Sequence, residues 1–361
     1  MVAAELCLTD FIFKHSSAAT IKKFIIDILN GTSLGIVLTL IPSALVSQLL
    51  LLFSGNEIAT QIAFMTTLIQ STLPLVAGFA VGQILKLTVI DSGAIALSMF
   101  VSAGVVKSTA NGAIISGSGV MLNILLVAFL ASILVKFTEK SFGHFKILLQ
   151  PLFVAVIAGG IGLMTLQPIS VLQTWIGDGV AYATELTPLV MGAALGVIFA
   201  FLIVSPLSSV GIAMAISLAG VGSGAANAGI TVASFTLALM GASVNPIGGT
   251  LAHFVGSPKI QMANMLVKPK LFIPTSIGAA IMGAVATMLN IKGTPFSAGF
   301  GFSGLVGPLT AWSESDKSLV SIFSILLVFV ILPVIIATVL KWLFMTKLKM
   351  IKAEDLKLTL Q

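Results

Sequence analysis

The residues best equipped to handle a solute gather between positions 242 and 270, in the run ASVNPIGGTLAHFVGSPKIQMANMLVKPK. Asn245 precedes Pro246, which lacks a backbone N–H and cannot continue a helix, so carbonyls and amides open there. Gly248 and Gly249 then allow a ligand close to the main chain. His253 stands at the edge of this break, and Lys259, Gln261 and Asn264 follow in a stretch able to fold back towards it. Carboxamides, an imidazole and an ammonium beside opened backbone are the chemistry of polar-solute binding. Each also has a plainer reading. Asn-Pro is a turn dipeptide, a lone His is often a satisfied structural group, and Lys259, Lys268 and Lys270 serve topology. Their clustering favours the functional reading.

Two more asparagines belong to a short internal repeat. Ala103-Gly104-Val105 followed by Ala110-Asn111 recurs 116 residues later as Ala219-Gly220-Val221 followed by Ala226-Asn227. Each copy is expected to end an outward-running span, and Asn111 and Asn227 to cap broken helices. Four stretches rich in Gly, Ser, Asn or Pro interrupt apolar sequence, at 107–118, 220–229, 241–250 and 293–308. Irregular backbone survives at membrane depth only under protein or beside water, so these read as candidate re-entrant hairpins. Small-residue helix packing is the alternative. Gln70, Ser71 and Pro74 break the second span's apolar face, and Trp175, Trp312 and Trp342 suit interfaces.

These groups are embedded in a chain that is 57% hydrophobic and 8% charged over 361 residues, against about 25% charged for a soluble domain. The apolar runs predict an all-α polytopic membrane protein of about ten spans in a lipid bilayer. The spans fall at 35–53, 59–85, 89–106, 119–136, 146–166, 186–206, 208–222, 229–244, 271–290 and 319–342. Residues 1–34 form an N-terminal segment in which 19–30 is expected as an amphipathic surface helix, 35–346 the membrane domain, and 347–361 a tail. The first 34 residues are polar and mixed, unlike a cleavable signal peptide. All 18 basic residues are Lys, and most fall in loops that this topology puts on one side, with both termini cytoplasmic. The net charge of +6 comes without the dense Arg stripe of a nucleic-acid binder, so nucleic acid is not an expected partner. One cysteine, Cys7, and three scattered histidines exclude an internal disulfide and a Cys/His metal cluster. No phosphate-cradling loop, nucleophile elbow or paired zinc-binding His occurs, so no enzyme and no cofactor is expected within the chain.

The stretch from LTPLVMGAALGVIFAFLIVSPLSSVGIA to GSPKIQMANMLVKPKLFIPTSIGAAIMGAV resembles the membrane (IIC) subunits of the sugar phosphotransferase system, in the branch that includes perfringolysin O regulator-like membrane proteins. The resemblance covers nearly the whole chain. It implies a bacterial plasma-membrane homodimer of ten-helix protomers with re-entrant hairpins, carrying solute by an elevator-like movement. Fructose-type members carry a Thr-Glu-Gly element that orients the sugar hydroxyl, then an Asp-Pro pair and an Ile-Pro pair. Lys268-Pro269 and Ile273-Pro274 keep the later landmarks, while Pro258-Lys259-Ile260 falls where the carboxylate is expected. A general base is therefore missing and a cation stands in its place. Three readings follow. The first is a permease for a small polar or anionic solute that does not phosphorylate it, with Asn245, Pro246, Gly248, Gly249, His253, Gln261 and Asn264 shaping the site and Lys259 supplying charge. The second is a membrane-embedded regulator whose tail docks a cytoplasmic protein. The third is a sugar permease served by separate IIA and IIB subunits.

Overall fold

The computed structural model describes residues 18–358 except 52, 54, 55, 110, 111, 139 and 140. The described residues are predominantly helical, as the composition requires: in lipid, a helix pairs its own backbone. In chain order the helices are α1 (Ala18–Leu51), α2 (Glu57–Ser71), α3 (Leu73–Ile84), α4 (Val89–Ser102), α5 (Met121–Thr138), α6 (Lys146–Val154), α7 (Gly160–Ala181), α8 (Pro188–Ile203), α9 (Ser209–Ala215), α10 (Gly220–Gly241), α11 (Ile247–Leu251), α12 (Met262–Val267), α13 (Phe272–Met288), α14 (Val306–Ser313), α15 (Leu319–Leu326) and α16 (Leu332–Lys341). Asn56, Thr88, Ser208 and Ser318 start α2, α4, α9 and α15 by accepting hydrogen bonds from first-turn amides.

Among the described residues, six helices are long and apolar enough to cross a bilayer. The α2–α3 pair, bent by 47° at Thr72, makes a seventh, while α4 and α8 are apolar but shorter. Besides a cluster of Ala228, Val232, Ala279, Met282 and Phe329, two larger apolar cores result. One gathers Ile28, Ile36, Leu73, Val81, Ile95, Met99 and Ile124 from α1, α3, α4 and α5. The other gathers Leu195, Phe199, Ile212, Ile230, Leu237 and Met240 from α8, α9 and α10. Met262 and Ala263 of α12 pack into the first core, whereas Met265 of the same helix packs into the second.

Several expected boundaries are corrected. The segment 19–30 is no separate surface helix. It forms the opening turns of the 34-residue α1, because Gly31 and Gly35 bring this helix against the backbone of Val81 and Ala77 in α3. The fifth span is longer than expected: helical turns run from Gly143 to Glu185 through a π turn at Ala155–Gly159. The seventh span, expected at 208–222, is only the seven-residue α9 followed by a turn at Ser217 with φ 52°. Residues 220–229 are not a break but the first half of α10, almost wholly buried. Their small side chains serve packing: a Cβ at Gly224 would overlap the Ile291 carbonyl, and one at Gly229 the Gly196 carbonyl.

Residues 107–118 are not a buried re-entrant hairpin either. Val106–Thr109 pairs antiparallel with Gly112–Ile115 in a ribbon exposed along its length. The two copies share one backbone feature, since Gly104 (φ 76°) and Gly220 (φ 60°) both sit in the left-handed region. They diverge in role: the first follows the end of α4, whereas the second opens α10. The breaks expected at 241–250 and 293–308 are present.

The close helix approach is open to test. Gly229→Val should lower the melting temperature in detergent by an amount matching about 1–3 kcal/mol of overpacking. Gly248→Ala, where an added Cβ meets nothing within 4 Å, should leave it nearly unchanged. Equal effects from the two would remove the packing account.

Candidate functional site

Two irregular hairpins approach α10 from its opposite ends. The later one, residues 293–305, is anchored where α10 begins: Gly220 and Gly293 exchange backbone hydrogen bonds of 2.9 and 3.0 Å. It then descends along the helix. The Ser223 hydroxyl donates to the Thr294 carbonyl at 2.8 Å, and Asn227, fully buried, accepts from the Gly301 N–H at 2.9 Å while its amide donates to the Ser297 hydroxyl at 3.3 Å. Gly301 needs its left-handed φ of 61°, and a side chain there would strike Ile230. The earlier hairpin, residues 246–261, rises from the other end of α10. The two meet beside Phe235, whose ring stacks on Phe254 at 4.6 Å and meets Phe302 edge-on at 5.7 Å. Helix α1 packs across both, against Ala252–Gly256, Pro258–Gln261 and Ser303–Leu305. Asn227 thus lies mid-helix and caps the neighbouring hairpin's free amide, not a break in its own helix.

On the earlier hairpin the hydrogen bonds fix the chemistry of His253. Its Nδ1 faces two carbonyls, Gly249 at 2.8 Å and Thr250 at 3.1 Å, so Nδ1 carries the proton. Its Nε2 is then an acceptor for the Gln261 amide at 3.0 Å. Gln261 gives its other amide hydrogen to the Leu356 carbonyl at 2.9 Å and accepts from Asn264 at 2.7 Å. Asn245 donates to the Gly241 and Leu356 carbonyls at 3.0 and 2.9 Å. His253, Gln261, Asn264 and Asn245 therefore come together as the sequence suggests, but around the chain's own residues 356–358. Pro246 and Gly248 are exposed at the rim, and Gly249 is buried.

Lys259 stands apart from that network. Only 5% exposed, it aims its ammonium at the chain just beyond α8, donating to the Ser205 carbonyl at 2.6 Å and the Leu207 carbonyl at 2.8 Å. None of the ion pairs among the described residues includes it. Asn111 lies outside the described residues. Sequence reasoning missed Ser223, Ser297 and the three phenylalanines, because their partners lie tens of residues away and periodicity carries no sign of them. It also missed the buried Asp91, which takes Lys146 at 2.7 Å and the Thr88 hydroxyl at 2.6 Å.

The segment expected to hang as a cytoplasmic tail is docked on its own chain over the described residues 350–358. Asp355 bridges Lys268 at 2.8 Å and Lys270 at 2.6 Å. Burial alone would raise the Asp355 carboxyl. Hydrogen bonds from Lys268, Lys270 and the Lys352 amide outweigh it and hold the group well below the usual carboxylate range.

Two outcomes are expected. Asn227→Leu strands the buried Gly301 amide, at about 1–3 kcal/mol, and should raise hydrogen exchange across 293–305. Unchanged exchange there would remove Asn227's role as the hairpin's clamp. A carboxyl whose pKa is depressed on folding stabilises above its ordinary value of 3.8 and loses that contribution only as pH falls towards the depressed one. A fluorophore at position 357, on a Cys7→Ser background, should therefore keep its high anisotropy from pH 7 down to about 4 and lose it in stronger acid. Release of the tail between pH 6 and 5 would contradict the pairing.

A search of curated proteins finds no match to the chain. The protein family described as "Phosphotransferase system, EIIC" matches residues 26–358, which takes in the membrane helices, both hairpins and the docked segment. A polytopic helical body interrupted by hairpins, matched over that span, places the chain in the phosphotransferase system EIIC family of membrane permeases.

Proposed function

We propose that this protein carries a small polar or anionic solute past the meeting point of its two hairpins and does not phosphorylate it. The observation that carries the reading is Lys259, a buried ammonium held by two main-chain carbonyls. Burying an isolated cation costs several kcal/mol, and carbonyl dipoles offset only part of this. An anionic group arriving beside it would restore the balance, whereas an ammonium, having no lone pair to offer, cannot act as base towards a sugar hydroxyl. In this reading Pro246, Gly248, Gly249 and His253 shape the solute's path on the earlier hairpin, Asn245, Gln261 and Asn264 brace that hairpin through residues 356–358, and Asn227 secures the later one. The protein works as a homodimer in the bacterial plasma membrane with both termini cytoplasmic. The docking of residues 350–358 against Lys268 and Lys270 supports that topology, because it puts the Lys-rich tail and the Lys-rich loop on one face.

Family membership favours a second reading, a sugar permease that works with separate IIA and IIB subunits. The two separate in proteoliposomes. Thermal-shift screening with organic anions, phosphate and sugars selects the probe, since a bound solute raises the melting temperature by mass action. Uptake of an anionic probe should fall at least tenfold in Lys259→Met, about 1.4 kcal/mol, and recover in part in Lys259→Arg. Full uptake by Lys259→Met would overturn the assignment of the charge. Formation of phosphosugar once IIA and IIB subunits are added would establish the second reading instead.

A further inference from the structure

The docked segment shows what its seat recognises. Asn245 behaves towards it as a backbone unit would, donating to the Leu356 carbonyl at 2.9 Å and accepting from the Leu358 N–H at 2.8 Å. Gln261 donates to the same Leu356 carbonyl, and Asn264 to the Lys357 carbonyl at 3.0 Å. Three carboxamides thus read main chain. Two features read sequence: Lys268 and Lys270 grip the Asp355 carboxylate, and the Leu356 side chain, fully buried, enters the core beside Gly241 together with Ile351. Lys270 also donates to the Met350 carbonyl at 2.9 Å. Every one of these cradle residues lies between the end of α10 and the start of α13. Through the Gln261–His253 bond, the occupant is coupled to the hairpin that meets Phe235 and Phe302.

We propose that Asn245, Gln261, Asn264, Lys268 and Lys270 form a peptide-binding cradle for an acidic residue followed by leucine. The chain's own residues 350–358 fill it as a releasable latch. While filled, the cradle holds the 246–261 hairpin in place. Once emptied, it offers five donor side chains and an apolar hole to an acidic, leucine-bearing segment of a cytoplasmic protein. The main-chain contacts supply affinity and the Asp-Leu pair supplies selectivity, as in other recognition of an extended peptide. A tethered segment acts at an effective concentration on the order of millimolar, so in the intact chain it outcompetes a peptide added in the micromolar range.

The test uses a labelled synthetic peptide of residues 350–361 in detergent or nanodiscs, with no transported solute. Failure here is therefore separate from failure of the permease reading. Protein ending at Lys349 should bind the peptide saturably and the full chain should not. A peptide carrying Asp355→Lys should bind at least tenfold more weakly. Hydrogen exchange over 247–264 should rise in the shortened protein and fall again when peptide is added. Should the shortened protein fail to fold, the full-length double variant Asp355→Lys/Leu356→Asp, which ejects the segment without removing it, replaces it in the same measurements. Absence of peptide binding to a folded protein with an empty cradle would overturn the proposal, as would 247–264 exchange that ignores both release and peptide.

Discussion

An interrupted helix inside an apolar body frees backbone groups that no water reaches, and the structure rests on how these are satisfied. Side-chain carboxamides and hydroxyls share the work, the hydroxyls of Ser223 and Ser209 closing the Thr294 and Gly299 carbonyls. Asn227 accepts the Gly301 amide of one hairpin, and Asn245 and Gln261 close the carbonyls and amides around the other. In the first core, Asn123 donates to the Ser102 and Gly162 carbonyls and accepts from Thr165, tying α5 to the end of α4 and to α7. A carboxamide suits this work because it carries donor and acceptor together and no charge. These residues are therefore buried without the cost that a carboxylate or ammonium would bring.

Around the hairpins the helices achieve contact of a different kind. Along α8, α10 and α13 the backbones touch: Gly192 lies on Gly283, Gly196 on Gly229, and Gly224 on Ile291 just past the end of α13. In a membrane there is little hydrophobic gain from bringing helices together, so close packing between small residues holds them. The result is a closely packed slab in the second half of the chain. Two irregular segments lie against it, and α1 of the first half covers them. A closely packed wall beside interrupted backbone is the arrangement in which a bound solute can be surrounded without unravelling the bundle.

The buried charges, Asp91, Asp355 and Lys259, fall into two groups. Asp91 with Lys146, and Asp355 with Lys268 and Lys270, are paired. Lys259 has only carbonyls. Pairing makes the first group structural, and its absence at Lys259 sets that residue apart as a place where charge remains to be balanced.

The sequence alone determined the class of fold, because apolar runs of bilayer length can only be helices in lipid, and it also marked the two true breaks. Pro246 cannot donate a backbone hydrogen bond, and the run from Gly293 to Pro308 has too many small residues to hold a helix by itself. It marked Asn245, His253, Gln261 and Asn264 as a group for the same reason, since polar side chains next to opened backbone are costly unless used. What the tertiary structure decided was every question of partner. The glycines of 220–229 read as a break by composition, yet α10 stays helical because Gly196 and Ile291 need their space. The tail reads as a free, charged end, yet Leu356 is buried and its carbonyl takes two carboxamides more than ninety residues away along the chain. Local propensity and periodicity reach only a few residues along a chain, and these contacts exist only once distant segments are packed side by side.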